Sequence, residues 1–578
     1  MRQSFILCLM ALCYHTTTMA QTTETVSLRI IETSDVHGSF FPYDFINRKP
    51  KKGSLARVST YVDSLRAIYG KNLLLFDNGD ILQGQPTCYY CNIIKPEIEN
   101  VAAKVINYMQ YDAETFGNHD VETGHAVYDK WISEVKCPML GANIINTATG
   151  KPYVAPYALF EREGVRIAVI GLLTPAIPNW LQESLWSGMR FEEMTECARY
   201  WVDYVKKNEN ADIIIGLFHS GKEGGITTDE YMEDASLKVA KEVPGFDLIL
   251  YGHDHTRHQD IVTNSQGDLV VCLDPSSSAY MVSDAEIQVT LKAGKVRGKQ
   301  VTGKVVDVSE LPVDERFMQY FQADIDSVNA FVNRKIGEFK NTIYTRDCYF
   351  GSSAFSDFIQ NLQLQITGAD ISFNAPLTFD TKISAGDVTV ADMFNLYKYE
   401  NQIYVMNLTG EEIRKHLEMS YDLWVNTMTS PDDHIMLMND DAKDDQQRFG
   451  FKNLAFNFDS AAGIDYEVDV TKPNGQKVRI LRMSNGEPFD EHKTYKVALN
   501  SYRGNGGGEL LTKGAGIPHE ELDKRIIFRS EKDQRFYLMK EIEKAGVMDP
   551  KPNNNWRFVP AEWTEPAIAR DRKLIFGE

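Results

Sequence analysis

Asp247-Leu-Ile-Leu-Tyr251-Gly-His253-Asp-His255 reads as a short apolar strand over 247–251 that ends in two imidazoles. The same design recurs upstream. The run 213–218 leads straight into His219, 27–33 is followed by Asp35-Val-His37, and 72–77 opens into Asp77-Asn-Gly-Asp80. Gly117-Asn118-His119-Asp120 closes a further segment. Each run is built of Val, Ile, Leu or Phe and bounded by Gly, Asn or Asp, as a buried strand is; 139–143 and 165–172 fit the same pattern. Helical stretches lie between them at 55–67, 97–109 and 191–207. Alternating β and α units predict a layered α/β domain from about Val26 to Gly303. Such sheets collect ligands beyond the carboxyl ends of their strands. A lone DxH or Gly-Asn is ordinary turn chemistry. Imidazole and carboxylate converging from five strand ends are what a transition-metal site requires.

The ordered set DxH, GD, GNH[DE], H and GHxH resembles the signature of the calcineurin-like metallophosphoesterases. The whole chain is similar to the secreted bacterial 5′-nucleotidase and 2′,3′-cyclic-nucleotide phosphodiesterase group. That resemblance implies a four-layer α/β/β/α catalytic domain, a helical linker and a smaller α+β C-terminal nucleotide-binding domain. It implies two divalent metal ions, one held by Asp35, His37, Asp80 and His255, the other by Asp80, Asn118, His219 and His253, with Asp80 bridging. A metal-bridging hydroxide would attack phosphorus in line with the leaving oxygen, and His119 would protonate that oxygen. Relatives pair this His with a carboxylate three residues on, here Glu122; Asp120 is also close in sequence, so either could orient His119. These donors accept manganese, zinc, iron or cobalt alike.

A second region follows a helical connector at 314–335. It reads as a helix at 358–367, a strand at 370–373, a helix at 411–419 and strands at 464–470 and 477–483, with Pro473-Asn-Gly475 turning between the last two. The Asp- and Gln-rich stretch 430–450 reads as a solvated excursion. The resemblance places a pair of base-stacking aromatics here, a contact worth about 1–3 kcal/mol per base. Tyr399, in Asn395-Leu-Tyr397-Lys-Tyr399-Glu-Asn401, and Tyr502, in Asn500-Ser-Tyr502-Arg-Gly-Asn-Gly-Gly-Gly508, match that clamp. Tyrosine in both places, together with Asn374-Ala-Pro-Leu377, resembles the 2′,3′-cyclic phosphodiesterase/3′-nucleotidase branch. The 5′-nucleotidase branch carries Phe in the clamp and an Arg-bearing stretch where Asn374 begins, and an Arg there would pair with a 5′-phosphate.

The remaining arithmetic sets limits. With 578 residues the chain exceeds one core, and the expected division is 1–20, 21–310, 311–336 and 337–578 for leader, catalytic domain, linker and substrate domain. The net charge of −20 argues against a nucleic-acid polymer or an anionic lipid surface as partner. The resemblance makes a nucleotide the expected partner, with no membrane span and a monomeric chain. Arg2, an apolar run at 5–14 and Thr-Met-Ala20 have the form of a cleaved signal peptide, so a periplasmic or secreted location is expected. Cys88-Tyr-Tyr-Cys91 suits either a small disulfide loop or two buried thiols. The competing readings are a 5′-nucleotidase or UDP-sugar hydrolase, a thiosulfohydrolase on the same fold, and a metal-free nucleotide-binding surface protein.

Overall fold

The computed structural model describes residues 23–439 and 450–578; the signal-peptide expectation lies outside them. In the N-terminal half two six-stranded sheets face each other. The first runs Lys295–Asp307, Met281–Lys292, Thr23–Thr33, Leu73–Asp77, Ala113–Thr115, Met139–Leu140. The second runs Arg257–Thr263, Leu269–Pro275, Leu248–Tyr251, Ile213–His219, Val165–Leu173, Tyr157–Arg162. In both, the central strands are parallel, so their carboxyl ends share one edge. Side-chain alternation decides the layering. Leu28, Ile30, Leu74 and Phe76 point inward against Ile167, Val169, Ile215 and Leu250. On the outer faces, Ile31 and Leu75 pack beneath the helices Leu55–Tyr69 and Val101–Met109, while Ile170, Ile214 and Ile249 meet Met194–Asn208 and Ser236–Glu242. The result is the expected four-layer α/β/β/α sandwich.

Two departures have simple causes. The run 139–143 pairs only over Met139–Leu140, because Asn143 turns its side chain to clamp Leu173, donating to its carbonyl at 2.6 Å and accepting from its N–H at 2.9 Å. The long hairpin Met281–Lys292/Lys295–Asp307 leaves most of its outer strand in solvent, so it carries no apolar run to read.

The connector forms two helices, Glu315–Tyr320 and Gln322–Val332. Phe317 and Phe321 lie on Phe41, with ring centroids 6.2 and 5.9 Å away, and Phe331 stacks on Tyr89 at 6.4 Å. The C-terminal region holds a five-stranded sheet, Ser460–Ala462, Ile371–Asn374, Thr494–Asn500, Gln402–Thr409, Ile526–Asp533, beside a three-stranded one, Val478–Met483, Ile464–Asp469, Trp556–Val559. Helix Gly410–Trp424 delivers Tyr421 and Trp424 into a buried aromatic pile, in which Trp424 stacks on Tyr421 at 5.0 Å and on Phe458 at 5.5 Å. The excursion expected at 430–450 is solvated only in part where it is described: Pro431, Asp432 and His434 are exposed, but the chain then turns inward. Ile435 and Met436 are fully buried, and the Met436 N–H is tied to Asp571; 440–449 lie outside the described residues. Cys88 and Cys91 are two buried free thiols and form no disulfide loop.

A buried charged trio sits in this second core. His416 stacks on Phe373 at 4.3 Å and donates through Nε2 to Asp459 (2.8 Å), which also accepts from Arg503 (2.8 Å). Burial holds His416 below its ordinary value in spite of Asp459. Burial alone would raise Asp459, but Arg503 and His416 hold it below its ordinary value. Both folded values lie below the unfolded ones, so acid removes stability: His416 begins to cost as pH falls past about 6.5, and Asp459 as it falls below about 4. Melting curves from pH 8 to 4 should therefore show a smaller loss between pH 6.5 and 5 in His416→Gln than in the native chain; identical slopes would remove His416 from this account.

Candidate metal centre

The shared carboxyl edge of the sheets carries the clusters read from the sequence, on backbone that is unusual for those residues. Asp35, His37, Asp80, His253 and His255 all have positive φ, between 47° and 83°. Each such residue costs about 1–3 kcal/mol and persists only where its surroundings over-determine it. Here the loops brace one another. The Asp35 N–H donates to the Gly79 carbonyl (3.0 Å), and the His37 N–H to the Asp80 carbonyl (2.9 Å). A Cβ on Gly117 would overlap the Asp80 carboxylate, so only glycine permits this approach.

Seven side chains converge. His37 Nε2 and His255 Nε2 stand 3.0 Å apart, and Asp35 Oδ1 is 3.3 Å from His255 Nε2. Asp80 Oδ2 lies 3.8 Å from His37 Nε2 and 3.3 Å from His219 Nε2. Asn118 Oδ1 is 3.1 Å from His219 Nε2 and 2.8 Å from His253 Nδ1. Asp35, His37, Asp80 and His255 form one donor group and Asp80, His219 and His253 another, with Asp80 in both. Three of the imidazoles have their far nitrogen fixed. His37 Nδ1 donates to the Gln83 carbonyl (3.2 Å), His219 Nδ1 to the Asn78 carbonyl (2.6 Å), and His253 Nε2 to Glu233 (3.1 Å). In the neutral ring that leaves a lone pair on the inward nitrogen, the arrangement of metal-ligating histidines. Asp35 Oδ1 and Asp80 Oδ2 are buried with no hydrogen-bond partner. Buried anionic oxygens aimed at imidazole lone pairs fit a cation and little else.

The charges agree. Burial would raise the Asp35 and Asp80 carboxyls, but His219 overrides it and both sit below their ordinary value. Burial would lower His219, yet Asp80 and Asp35 push it up to about 10. His37, buried and facing His255, is driven down to about 3. The pocket thus demands positive charge and takes it from one imidazole or from a metal.

His119 stands beside these donors without joining them, its ring 5.5 Å from His37. Its Nδ1 meets Glu122 at 2.6 Å. Asp120 does not touch the ring: its carboxylate accepts the N–H groups of Asp80, Ile81, Leu82 and Gly117 at 2.8–3.0 Å, which fixes the Asp80 loop. Of the two carboxylates expected to orient His119, Glu122 is the one in contact with its ring. Burial would lower His119, but Asp80 and Glu122 raise it to about 9, so it is protonated at neutral pH.

Tyr502 lies in the short helix Ser501–Gly504, beside Asn505, whose amide donates to the Trp180 carbonyl (3.1 Å), and Tyr399 lies in the loop between Leu396 and Gln402. Burial raises the Tyr502 phenol, and the charges of Tyr399 and Glu233 add to the rise. Tyr397 is fully buried and structural. Asn374 is 3% exposed, and its amide donates to the Ala375 carbonyl (3.1 Å) rather than to either tyrosine. Two residues escaped the sequence reading. Glu233 comes from the irregular hairpin Gly224–Thr227/Met232–Asp234, and Trp180 lies with its ring 5.7 Å from His253. Neither stands in a periodic run, and Gly224-Gly225 was the only mark of the hairpin.

Fold and donor set together define a phosphoric ester hydrolase that works with divalent metal. Residues 28–257 match the calcineurin-like phosphoesterase family, and 335–513 match the 5′-nucleotidase C-terminal domain. The chain belongs to the calcineurin-like phosphoesterases, in the two-domain form that carries a nucleotidase C-terminal domain. A 2′,3′-cyclic-nucleotide 2′-phosphodiesterase/3′-nucleotidase from Yersinia enterocolitica is 26% identical over 96% of this chain and 91% of its own. A 5′-nucleotidase from Vibrio cholerae is 26% identical over 68% of this chain and 76% of its own. In fold, a Staphylococcus aureus structure provisionally assigned as a 5′-nucleotidase superposes with a TM-score of 0.75 at 21% identity, covering 92% of this chain and 99% of that one.

Glu233 locks the ring of His253, so Glu233→Gln should weaken divalent-metal binding by about tenfold or more. Calorimetric titration of the chelated protein with manganese checks this, and unchanged affinity would show that the contact is idle.

Proposed function

We propose that the protein hydrolyses nucleotide phosphoesters after export, favouring 2′,3′-cyclic nucleotides and then 3′-nucleotides. The observation that carries this reading is the contact of the Tyr502 loop with Trp180: the Asn505 amide donates to the Trp180 carbonyl (3.1 Å), and the Trp180 ring lies 5.7 Å from the ligand His253. The kinship with the Yersinia enzyme supports it, as do tyrosines where the 5′-nucleotidase branch carries Phe.

Asp35, His37, Asp80 and His255 would hold one divalent ion, and Asp80, Asn118, His219 and His253 would hold a second. When bound, they polarise the phosphoryl oxygens and lower the pKa of water. The chain's own residues do the rest. His119, its Nδ1 held by Glu122 at 2.6 Å, gives its proton to the departing ribose oxygen. Glu122 holds the ring so that Nε2 carries that proton. Tyr399 and Tyr502 take the base between them and set the distance from base to phosphate. In this reading 21–310 is catalytic, 311–336 the linker and 337–578 the substrate domain, Met1 to Ala20 is the export signal, and the working unit is a monomer. The second reading, a 5′-nucleotidase, draws on the Vibrio relative.

Rates with 2′,3′-cyclic AMP, 3′-AMP, 5′-AMP and UDP-glucose, taken after chelation with and without manganese, test the assignment. The expected order is cyclic, then 3′, with the rest slower. A preference for 5′-AMP overturns the branch, and no turnover with metal restored overturns the nucleotidase reading. His119→Ala should lower kcat at least about 100-fold with metal still bound. Tyr502→Ala should chiefly raise KM for nucleotides.

A further inference from the structure

Two arginines in the C-terminal region are 2% exposed, and each is bound to the loop that carries one clamp tyrosine. Arg535 donates from Nε to the Tyr397 carbonyl (3.1 Å) and from Nη2 to the Lys398 carbonyl (2.7 Å), the two peptides before Tyr399. Arg503 follows Tyr502 directly. It donates to the Gly507 carbonyl, to the Phe456 carbonyl (3.0 Å) and to Asn457 Oδ1 (3.2 Å), while Asp459 takes its Nε. Those bonds fold the glycine loop back beneath Tyr502, where a Cβ on Gly507 would strike the ring, and bring Phe456 edge-on to Tyr502 at 6.0 Å.

Both loops are also moored to the catalytic region. The Arg535 guanidinium lies 4.8 Å from the centre of the Tyr89 ring and 4.1 Å from that of Phe394, and the Tyr89 hydroxyl donates to Asp533 (3.0 Å). Tyr89 follows the loop that begins at Asp80. On the other side Asn505 donates to the Trp180 carbonyl (3.1 Å), and the Trp180 ring faces His253. Each tyrosine loop is thus tied by a buried arginine on its own side and by one contact to the neighbourhood of a metal-ligating residue.

We infer that Arg503 and Arg535 are positioning residues that set the geometry of the nucleobase clamp relative to the metal donors. The inference rests on the clamp reading of Tyr399 and Tyr502. A planar guanidinium binds two or three carbonyls at fixed angles, which the point charge of lysine cannot do. Asp459 balances the charge of Arg503, and Glu400 and Asp533 stand 3.7 and 3.9 Å from Arg535 Nη1, so the guanidinium N–H groups given to loop carbonyls tie each loop to a buried ion pair.

The full chain with manganese serves for the test, with 3′-AMP as substrate and glycerol 2-phosphate as a phosphoester that has no base. In R503K and R535K the ratio of kcat/KM for 3′-AMP to that for glycerol 2-phosphate should fall about tenfold, through KM. The inhibition constant of adenosine should rise in parallel. An unchanged ratio, or equal losses on both substrates, overturns the inference. If a lysine variant does not fold, D459N replaces R503K and D533N replaces R535K, with a smaller shift of the same kind expected; loss of folding in both members of a pair makes that arginine a core residue and overturns its role here. If Tyr502→Ala raises KM while the arginine variants do not alter the ratio, this inference alone falls. If Tyr502→Ala leaves KM unchanged, the clamp falls first.

Discussion

Two carboxylate oxygens without a proton donor, Asp35 Oδ1 and Asp80 Oδ2, are the constraint on which the rest is arranged. Buried charge of that kind is tolerable only beside a cation. The neighbouring histidines are held by their far nitrogens, which turns their other nitrogens inward and frees them for a metal. The strained turns at five donors follow from the same need. Short loops at the ends of parallel strands can aim several side chains at one point only by leaving the ordinary backbone basins. The sandwich supplies the rigidity: strands buried on both faces do not relax to let those turns unwind.

Most of the catalytic half was legible because its strands are buried on both sides and read as unbroken apolar runs. The donors then stand at the ends of those runs, and their residue types say what they bind. Asp120 was harder. Sequence placed it as near to His119 as Glu122, but the short helix Asn118–Glu122 turns its carboxylate back onto the N–H groups of the Asp80 loop. Only three-dimensional packing separates those roles. Glu233 and Trp180 were illegible for a related reason, since each lies in an element too short to show a period, the strand Met232–Asp234 and the helix Ile177–Trp180, and acts through one contact across the fold. The stretch around Ile435 and Met436 was misread because acidic neighbours outweigh two apolar residues in any local average.

In the C-terminal region the familiar contrast between structural core and binding loop breaks down. Arg503 belongs to a fully buried network with Asp459 and His416, yet it ends on the carbonyls that shape the loop around Tyr502. Arg535 stands between rings contributed by both halves of the chain. Interior residues here reach function through the backbone they hold.

The linker aromatics have a consequence for what counts as a unit of this protein. One continuous apolar cluster takes in Tyr89 and Tyr108, the connector residues Phe317, Phe321 and Phe331, and Phe358, Phe394 and Leu538 from the far half. The family matches, 28–257 and 335–513, stop before the strands Leu269–Pro275 and Met281–Lys292 in one half and Ile526–Asp533 and Trp556–Val559 in the other. What is inherited as a recognisable block is therefore smaller than what folds. A fragment cut at either border would bare sheet edges and half a shared interior, a surface that seeks other chains. The modularity of this enzyme belongs to its ancestry, while its interior is shared by both halves.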